Sequence, residues 1–229
     1  MHNGQGRIHQ IRLDAQGQTE AWIDCPDGLL PEAGQYLVGY ALEDQEAPLA
    51  TCLFPAELPG SGFWAAAPIP PTWLPGTVLA LRGVLGHGFS GYSGARRISL
   101  ASFTDSPARV LPLVAHASQL GAAVTLFANP PLPSLPAWVE IYPLSSLPEL
   151  LYWADYLALD LPLESLPTLR QALGLLPEQL LPCPAQALIY TPMPCAGLAE
   201  CGACAVPTRR GWKLACEDGP VFDLSNLEW

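Results

Sequence analysis

Four cysteines are gathered near the end of the chain in the order Cys195-x5-Cys201-x2-Cys204-x11-Cys216, whereas Cys25, Cys52 and Cys183 stand apart. Seven cysteines cannot all pair as disulfides, and crowding of this kind in a reducing compartment points to metal. The spacing describes a loop that carries three sulfurs and a hairpin that returns the fourth. Zinc also takes four thiolates, but usually from two C-x2-C knuckles, and Cys201 with Cys204 makes the single such pair. A short first spacing, one C-x2-C and a distant fourth cysteine lie nearer the arrangement that holds two irons and two sulfides. The expectation is a [2Fe–2S] cluster on Cys195, Cys201, Cys204 and Cys216, with a structural zinc ion as the alternative. Such a core with four thiolates is doubly negative when oxidised and triply negative when reduced. Gly197, Gly202 and Ala203 let the backbone curl so that N–H groups point at sulfur, and those bonds help set the reduction potential. The three isolated cysteines read as small buried hydrophobes.

The rest of the composition narrows the class of partner. With 21 acidic residues against 10 basic ones the net charge is −11, which repels nucleic acid and anionic membrane surfaces. Arg209, Arg210 and Lys213, between the third and fourth cysteines, form the basic group nearest the cluster; they balance its charge, dock an acidic partner or are a solvated turn. The segment 1–7 is polar and has no basic-then-apolar leader, so a cytoplasmic location is expected. Residues 110–139 contain no Asp, Glu, Lys or Arg. Pro112, Pro130, Pro131, Pro133 and Pro136, with His116, Gln119 and Asn129, argue against a membrane span and for a buried helix followed by a buried strand.

The elements that must carry this cysteine loop fall into two patterns. Strands are expected at 6–13, 19–23, 35–40, 50–54 and 78–81, separated by turns such as Pro26-Asp27-Gly28 and Leu74-Pro75-Gly76. After Arg97 the pattern alternates: strand 98–101, a helix opened by Ser106-Pro107 and closed by Gly121, strand 124–127, strand 140–142, helix 147–153, strand 156–159 and helix 163–173. The chain is therefore read as α+β and multi-lobed: an antiparallel β-barrel over 1–94, a small α/β lobe with a parallel sheet over 95–187, and a cysteine-rich tail over 188–229.

The run Cys195-Ala-Gly-Leu-Ala-Glu-Cys201-Gly-Ala-Cys204-Ala-Val, and then Ala215-Cys216-Glu-Asp-Gly-Pro-Val-Phe-Asp223, resembles the electron-transfer subunit of type B dihydroorotate dehydrogenase. Weaker matches lie at Ala33-Gly34-Gln35-Tyr36 and at Leu81-Arg82-Gly83-Val84-Leu85-Gly86-His87-Gly88-Phe89. The resemblance implies a ferredoxin-reductase-like FAD barrel, a nucleotide-binding lobe and a C-terminal [2Fe–2S] module. It also implies a relay of electrons to or from a flavoprotein catalytic subunit in a hetro-oligomer, in pyrimidine biosynthesis. The chain would then be an electron-transfer component of an oxidoreductase rather than a catalyst by itself. Its first cysteine spacing is one residue longer than is usual in the family.

Two departures bear on the dinucleotides. The flavin barrel of the family carries an arginine motif where this chain reads Pro48-Leu49-Ala50-Thr51-Cys52-Leu53-Phe54, and no arginine occurs between Arg12 and Arg82. No cation from that region grips a flavin pyrophosphate, and Gly86 and Gly88 are left as FAD-binding candidates, although a glycine pair is also simply a turn. The glycine-rich turn of the nucleotide lobe is replaced by Ala101-Ser102-Phe103-Thr104-Asp105. Side chains stand where backbone N–H groups would meet phosphate, and Asp105 adds a like charge. The lobe is expected to keep its fold and not to bind NAD. Two other functions stay open: a complete FAD-containing reductase that oxidises NADH, and a non-redox subunit with a zinc staple. His87 is a candidate contact for a flavin or a partner, and His116 a hydrogen-bonded core residue. Gly88-Phe89-Ser90-Gly91 lacks the glycine that a nucleophile turn needs two residues after the serine.

Overall fold

The computed structural model describes residues 2–43, 49–131 and 134–229; Pro48 and Pro133 lie outside the described residues. The first lobe comprises β1 (His2–Leu13), β2 (Thr19–Asp24), β3 (Tyr36–Ala41), β4 (Thr51–Leu53), β5 (Pro55–Glu57), β6 (Gly62–Ala65) and β7 (Val78–Leu85). They form one antiparallel sheet in the order β4-β3-β7-β1-β2-β6-β5. Strands β4 and β5 lie at opposite edges of this sheet, yet Phe54 alone separates them in the chain. The sheet must curl until its edges meet, and the result is a nearly closed barrel. Period-two alternation gives β3 two buried faces. Leu37 enters the barrel core with Ile8, Ile23, Phe63, Trp73 and Leu79, while Tyr36 and Val38 face outward into the larger core beyond. The expected strand at 50–54 is divided between β4 and the approach to β5. Strand β6 was not read, being four residues long and set among turn signals.

The second lobe contains β8 (Arg97–Ser102), α1 (Pro112–Leu120), β9 (Ala123–Phe127), β10 (Val139–Tyr142), α2 (Leu147–Leu150), β11 (Tyr156–Pro162), α3 (Leu169–Ala172) and β12 (Ala185–Tyr190). Its parallel sheet runs β10-β9-β8-β11-β12. Strands β8 and β11 are buried on both faces, as a sheet covered on two sides requires. Helix α1 starts at Pro112 rather than at Pro107. Proline has no N–H for the Ala108 carbonyl and its ring crowds that carbonyl, so residues 107–111 form tight turns instead. Gly121 ends the helix in the left-handed conformation (φ 65°), its N–H bonded back to Ala117 and Ser118. No helix among the described residues is long and apolar enough to cross a membrane.

The last segment holds β13 (Ala205–Thr208), β14 (Gly211–Leu214) and β15 (Val221–Asp223). Strands β13 and β14 form a hairpin, whereas β15 pairs antiparallel with β12. The boundary expected at 187/188 thus falls inside β12, because the tail returns to complete the edge of the parallel sheet. Its other side is fastened to the barrel. The His87 N–H donates to the Gly219 carbonyl at 2.6 Å, His87 Nδ1 lies 3.0 Å from the Asp218 carbonyl, and the Tyr36 hydroxyl donates to the Cys216 carbonyl at 3.1 Å. Gly86 (φ 74°) is required by this seam, since a Cβ there would stand 2.5 Å from Pro220 Cδ and 2.8 Å from the Gly219 oxygen. Gly86→Ala is expected to cost about 1–3 kcal/mol, read as a lower urea midpoint with an unchanged slope.

Candidate metal centre

The cysteine loop is built by an unusual run of backbone conformations. Ala196 (φ 54°), Gly197 (φ 74°), Ala199 (φ 60°) and Gly202 (φ 69°) all lie in the left-handed region, two of them alanines that must be held there against steric cost. The run turns N–H groups inward. That of Ala203 lies 3.5 Å from the Cys201 sulfur, that of Leu198 donates to the Cys195 carbonyl at 3.2 Å, and the backbone at 198, 200 and 201 favours the Cys195 thiolate as that at 199 favours the Cys216 thiolate. The fourth cysteine arrives through the hairpin, whose registry sets Ala205 opposite Leu214, and the Ala215 N–H donates to the Cys204 carbonyl at 2.9 Å. The spacing of eleven between Cys204 and Cys216 is therefore two strands, their turn at Arg209-Arg210, and Ala215.

Among the cysteines, the Cys195 thiol feels Cys201 most, and the Cys216 thiol feels Cys204 and then Cys195. Among the described residues, no three His, Cys, Asp or Glu side chains are set closely enough to enclose one metal ion. Cys204 and Cys216 are buried, Cys195 is half-buried and Cys201 is exposed. Burial acts to raise the Cys195 thiol, but the bond with Cys201 and the three N–H groups outweigh it and bring it down to about 6. Burial and the neighbouring Cys204 push Cys216 up to about 12. Cys195, Cys201, Cys204 and Cys216 would hold an anionic iron–sulfur cluster as thiolates, and the N–H groups of the loop would donate to its sulfurs.

Three barrel residues also face this centre, Cys52 and, from the segments that resemble the family, Tyr36 and Arg82. Cys52 pairs with Val38 on the outer face of the barrel, and its thiol is pushed up to about 12 by burial and then by Cys195 and Cys204. Tyr36 is raised by burial and by Cys52, Cys216 and Cys204. The Arg82 guanidinium donates to the Ala196 carbonyl. Cys52 is isolated in sequence; only the strand registry brings it beside the quartet. Cys25 and Cys183 lie apart from the quartet, each raised to about 11 by burial.

The other candidate positions serve different purposes. The Cβ direction of Gly86 is filled by residues 219–220, and that of Gly88 by the Ala33 carbonyl at 2.7 Å. Both glycines, like Gly34, therefore have a packing reason at the seam. Lys213 is paired with Asp218 at 2.8 Å, and Arg209 and Arg210 form the exposed hairpin turn. His116 Nδ1 lies 3.0 Å from the Pro112 carbonyl, with its ring edge-on to Tyr92.

The turn after β8 is closed on itself. Ser102 Oγ lies 3.2 Å from the Ser106 carbonyl, and the Thr104 hydroxyl lies 2.8 Å from the same carbonyl and 3.1 Å from Asp160 Oδ2. Arg109 donates to Asp160 Oδ1 at 3.1 Å, to Thr104 at 3.2 Å and to the Ala67 carbonyl of the barrel at 3.4 Å. Burial pushes the fully enclosed Asp160 carboxyl up, against the pull of Arg109 and Thr104. These groups satisfy one another, and exposed Asp105 faces outward. They do not fit a dinucleotide phosphate.

Residues 193–228 match the family described as the iron–sulfur cluster binding domain of dihydroorotate dehydrogenase B. No curated protein matches the sequence closely enough to count as a relative. Among solved structures, the NADH-dependent reduced ferredoxin-NADP oxidoreductase of a study on flavin-based electron bifurcation superposes with a TM-score of 0.74 at 16% identity, covering 98% of this chain and 90% of that one. The ferredoxin reductase of carbazole 1,9a-dioxygenase gives 0.59 at 14% identity over 76% of this chain and 65% of that one. Ferredoxin-NADP+ reductase from Plasmodium falciparum gives 0.54 at 9% identity over 77% and 90%. The fold and the cysteine set define an iron–sulfur electron-transfer subunit on a ferredoxin-reductase-like frame. Its C-terminal segment is similar to the iron–sulfur cluster binding domain of dihydroorotate dehydrogenase B, and the chain as a whole has a ferredoxin-reductase-like fold.

Arg109→Met, which leaves Asp160 buried without its cation, is expected to lower stability by about 3–5 kcal/mol in urea unfolding. The double change Arg109→Met with Asp160→Leu is expected to recover most of that loss.

Proposed function

We propose that Cys195, Cys201, Cys204 and Cys216 hold a [2Fe–2S] cluster that relays single electrons to or from a flavoprotein partner of the dihydroorotate dehydrogenase kind. The observation that carries this reading is the match of residues 193–228, which contain all four cysteines, to an iron–sulfur cluster binding domain. Two irons take two thiolates each, Cys195 with Cys201 on one and Cys204 with Cys216 on the other, whereas one zinc ion needs all four sulfurs at about 2.3 Å in a single tetrahedron. The exposed Cys201 beside the exposed Leu198 leaves one edge of the centre open to a partner, while the barrel and tail cover the other.

The substrate and flavin chemistry then belong to the partner, in a hetero-oligomer in the cytoplasm. The barrel (1–94) and the α/β lobe (95–187) serve as a frame for the tail (188–229). FAD at Gly86 and Gly88 finds no support in residues that the chain itself packs against, and the closed turn after β8 supports loss of the nicotinamide site.

Protein purified without oxygen is expected to be brown, to contain iron and acid-labile sulfide in equal amounts, and to give an EPR signal on reduction. Colourless protein with zinc as its metal would sink the proposal. Cys204→Ser is expected to abolish the visible spectrum, since the pair it breaks is the buried one. Calorimetry with NADH is expected to show no binding in the micromolar range, and heat of binding there would restore the complete-reductase reading.

A further inference from the structure

We propose that the outward face of the hairpin between the third and fourth cysteines is a docking surface, with Trp212 as its anchor and Arg209 and Arg210 at its tip, for a flavoprotein whose matching face is acidic. This rests on the electron-transfer reading above and adds to it the surface and the chemistry of the partner. In the registry of β13 and β14, Ala205 stands opposite Leu214, Val206 opposite Lys213 and Pro207 opposite Trp212, and opposed side chains share a face. Val206 and Thr208 are buried, so theirs is the inner face. The outward face then carries Ala205, Pro207, Trp212 and Leu214, every one of them apolar. A hairpin face turned to water is ordinarily polar. Here Ala205, Pro207 and Leu214 are half-buried and Trp212 is 71% exposed.

The tip supplies the charge. Arg209 and Arg210 are exposed, and neither guanidinium has an ion pair or a ring contact among the described residues. Lys213, by contrast, is held by Asp218 at 2.8 Å. Exposed Glu228, whose N–H donates to the Pro207 carbonyl at 3.2 Å, pairs with neither arginine. In a chain of net charge −11 most of the surface repels an acidic protein, so two unpaired guanidinium groups beside an exposed indole select where such a protein lands. Tryptophan and arginine are also the side chains that most often dominate binding energy at interfaces. The hairpin is already rigid, because the Arg209 N–H donates to the Asn226 carbonyl at 3.0 Å and Thr208 bridges to Leu227. Little ordering is left to oppose docking. Trp212 stands across from Pro207, three residues beyond Cys204, or roughly 10 Å of strand. A partner seated there lies next to the cluster.

The test is binding kinetics between the cluster-loaded full chain and the separately purified catalytic subunit of dihydroorotate dehydrogenase from the same organism, with iron and sulfide measured on every sample. Trp212→Ala is expected to weaken affinity about thirtyfold, mostly through faster dissociation. Trp212→Phe, which keeps an aromatic anchor, is expected to stay within about threefold. Arg209→Glu with Arg210→Glu is expected to slow association about tenfold at low salt and to remove most of its salt dependence. Leu180→Ala, at a side chain 85% exposed on the α/β lobe, is expected to leave binding unchanged. Wild-type affinity in Trp212→Ala with full iron content overturns the proposal, as does wild-type association in the double arginine variant. If Trp212→Ala loses its iron, the double arginine variant decides alone. A wild-type chain that self-associates and is made monomeric by Trp212→Ala assigns the face to a second copy and overturns the proposal. Cluster-loaded wild type that does not bind the catalytic subunit refutes the partner class, and with it this surface, whereas wild type without iron and sulfide refutes the cluster assignment itself.

Discussion

An anionic iron–sulfur cluster in a chain of net charge −11 needs fixed positive dipoles already in place around it. Mobile counterions reach a half-buried site poorly, and the low dielectric there strengthens every uncompensated repulsion. The left-handed run from Ala196 to Gly202 is a direct consequence, because it is the conformation that turns successive N–H groups toward the sulfurs. That conformation is costly for Ala196 and Ala199, so it must be held from outside. The seam between barrel and tail holds it. Tyr36 bonds the Cys216 carbonyl, His87 the 218–219 backbone, and Arg82 the Ala196 carbonyl.

The same seam explains how the two larger lobes relate to the centre. In this chain the barrel segments 33–36 and 81–89 present their glycines and aromatic rings to residues 197 and 216–221. The α/β lobe contributes the edge strand β12, on which β15 lays the end of the tail. Between the lobes Arg109 bonds at once to Asp160 of β11, to Thr104 in the turn after β8, and to Ala67 of the barrel. A buried guanidinium with three partners fixes the relative position of two elements well, at a desolvation cost that only complete pairing offsets. A frame closed in this way positions the cysteine loop rigidly, and rigidity lowers the reorganisation that accompanies each electron.

Much of this was legible in the residues before any coordinates. The cysteine spacing singles out Cys195, Cys201, Cys204 and Cys216 as candidates, and the change from period-two alternation to strands divided by helical segments marks the two kinds of sheet. What escaped has physical causes. Helix α1 starts late because Pro112 vetoes a hydrogen bond that Ser106-Pro107 alone would have allowed. Strands β5 and β6, three and four residues long, are shorter than the window over which alternation can be recognised. The extension of the tail into β15 is a long-range pairing that local pattern cannot reveal. Cys52 and Arg82 lie far from the quartet in sequence, and it is the registry of β3 with β4 and β7 that puts both on the face turned toward it.

This last case marks a general limit on reading electrostatics from composition. The excess of acidic residues argues against polyanionic partners, since that interaction sums over the whole surface. The potential at a half-buried centre is set instead by a handful of groups within a few ångströms, weighted by the local dielectric and not by their number. Here those groups include the backbone N–H dipoles of the cysteine loop, which carry no formal charge. A chain can therefore be strongly acidic as a whole and still hold a site that favours added negative charge. The two properties are compatible because strand registry, not residue count, decides which few groups face the sulfurs.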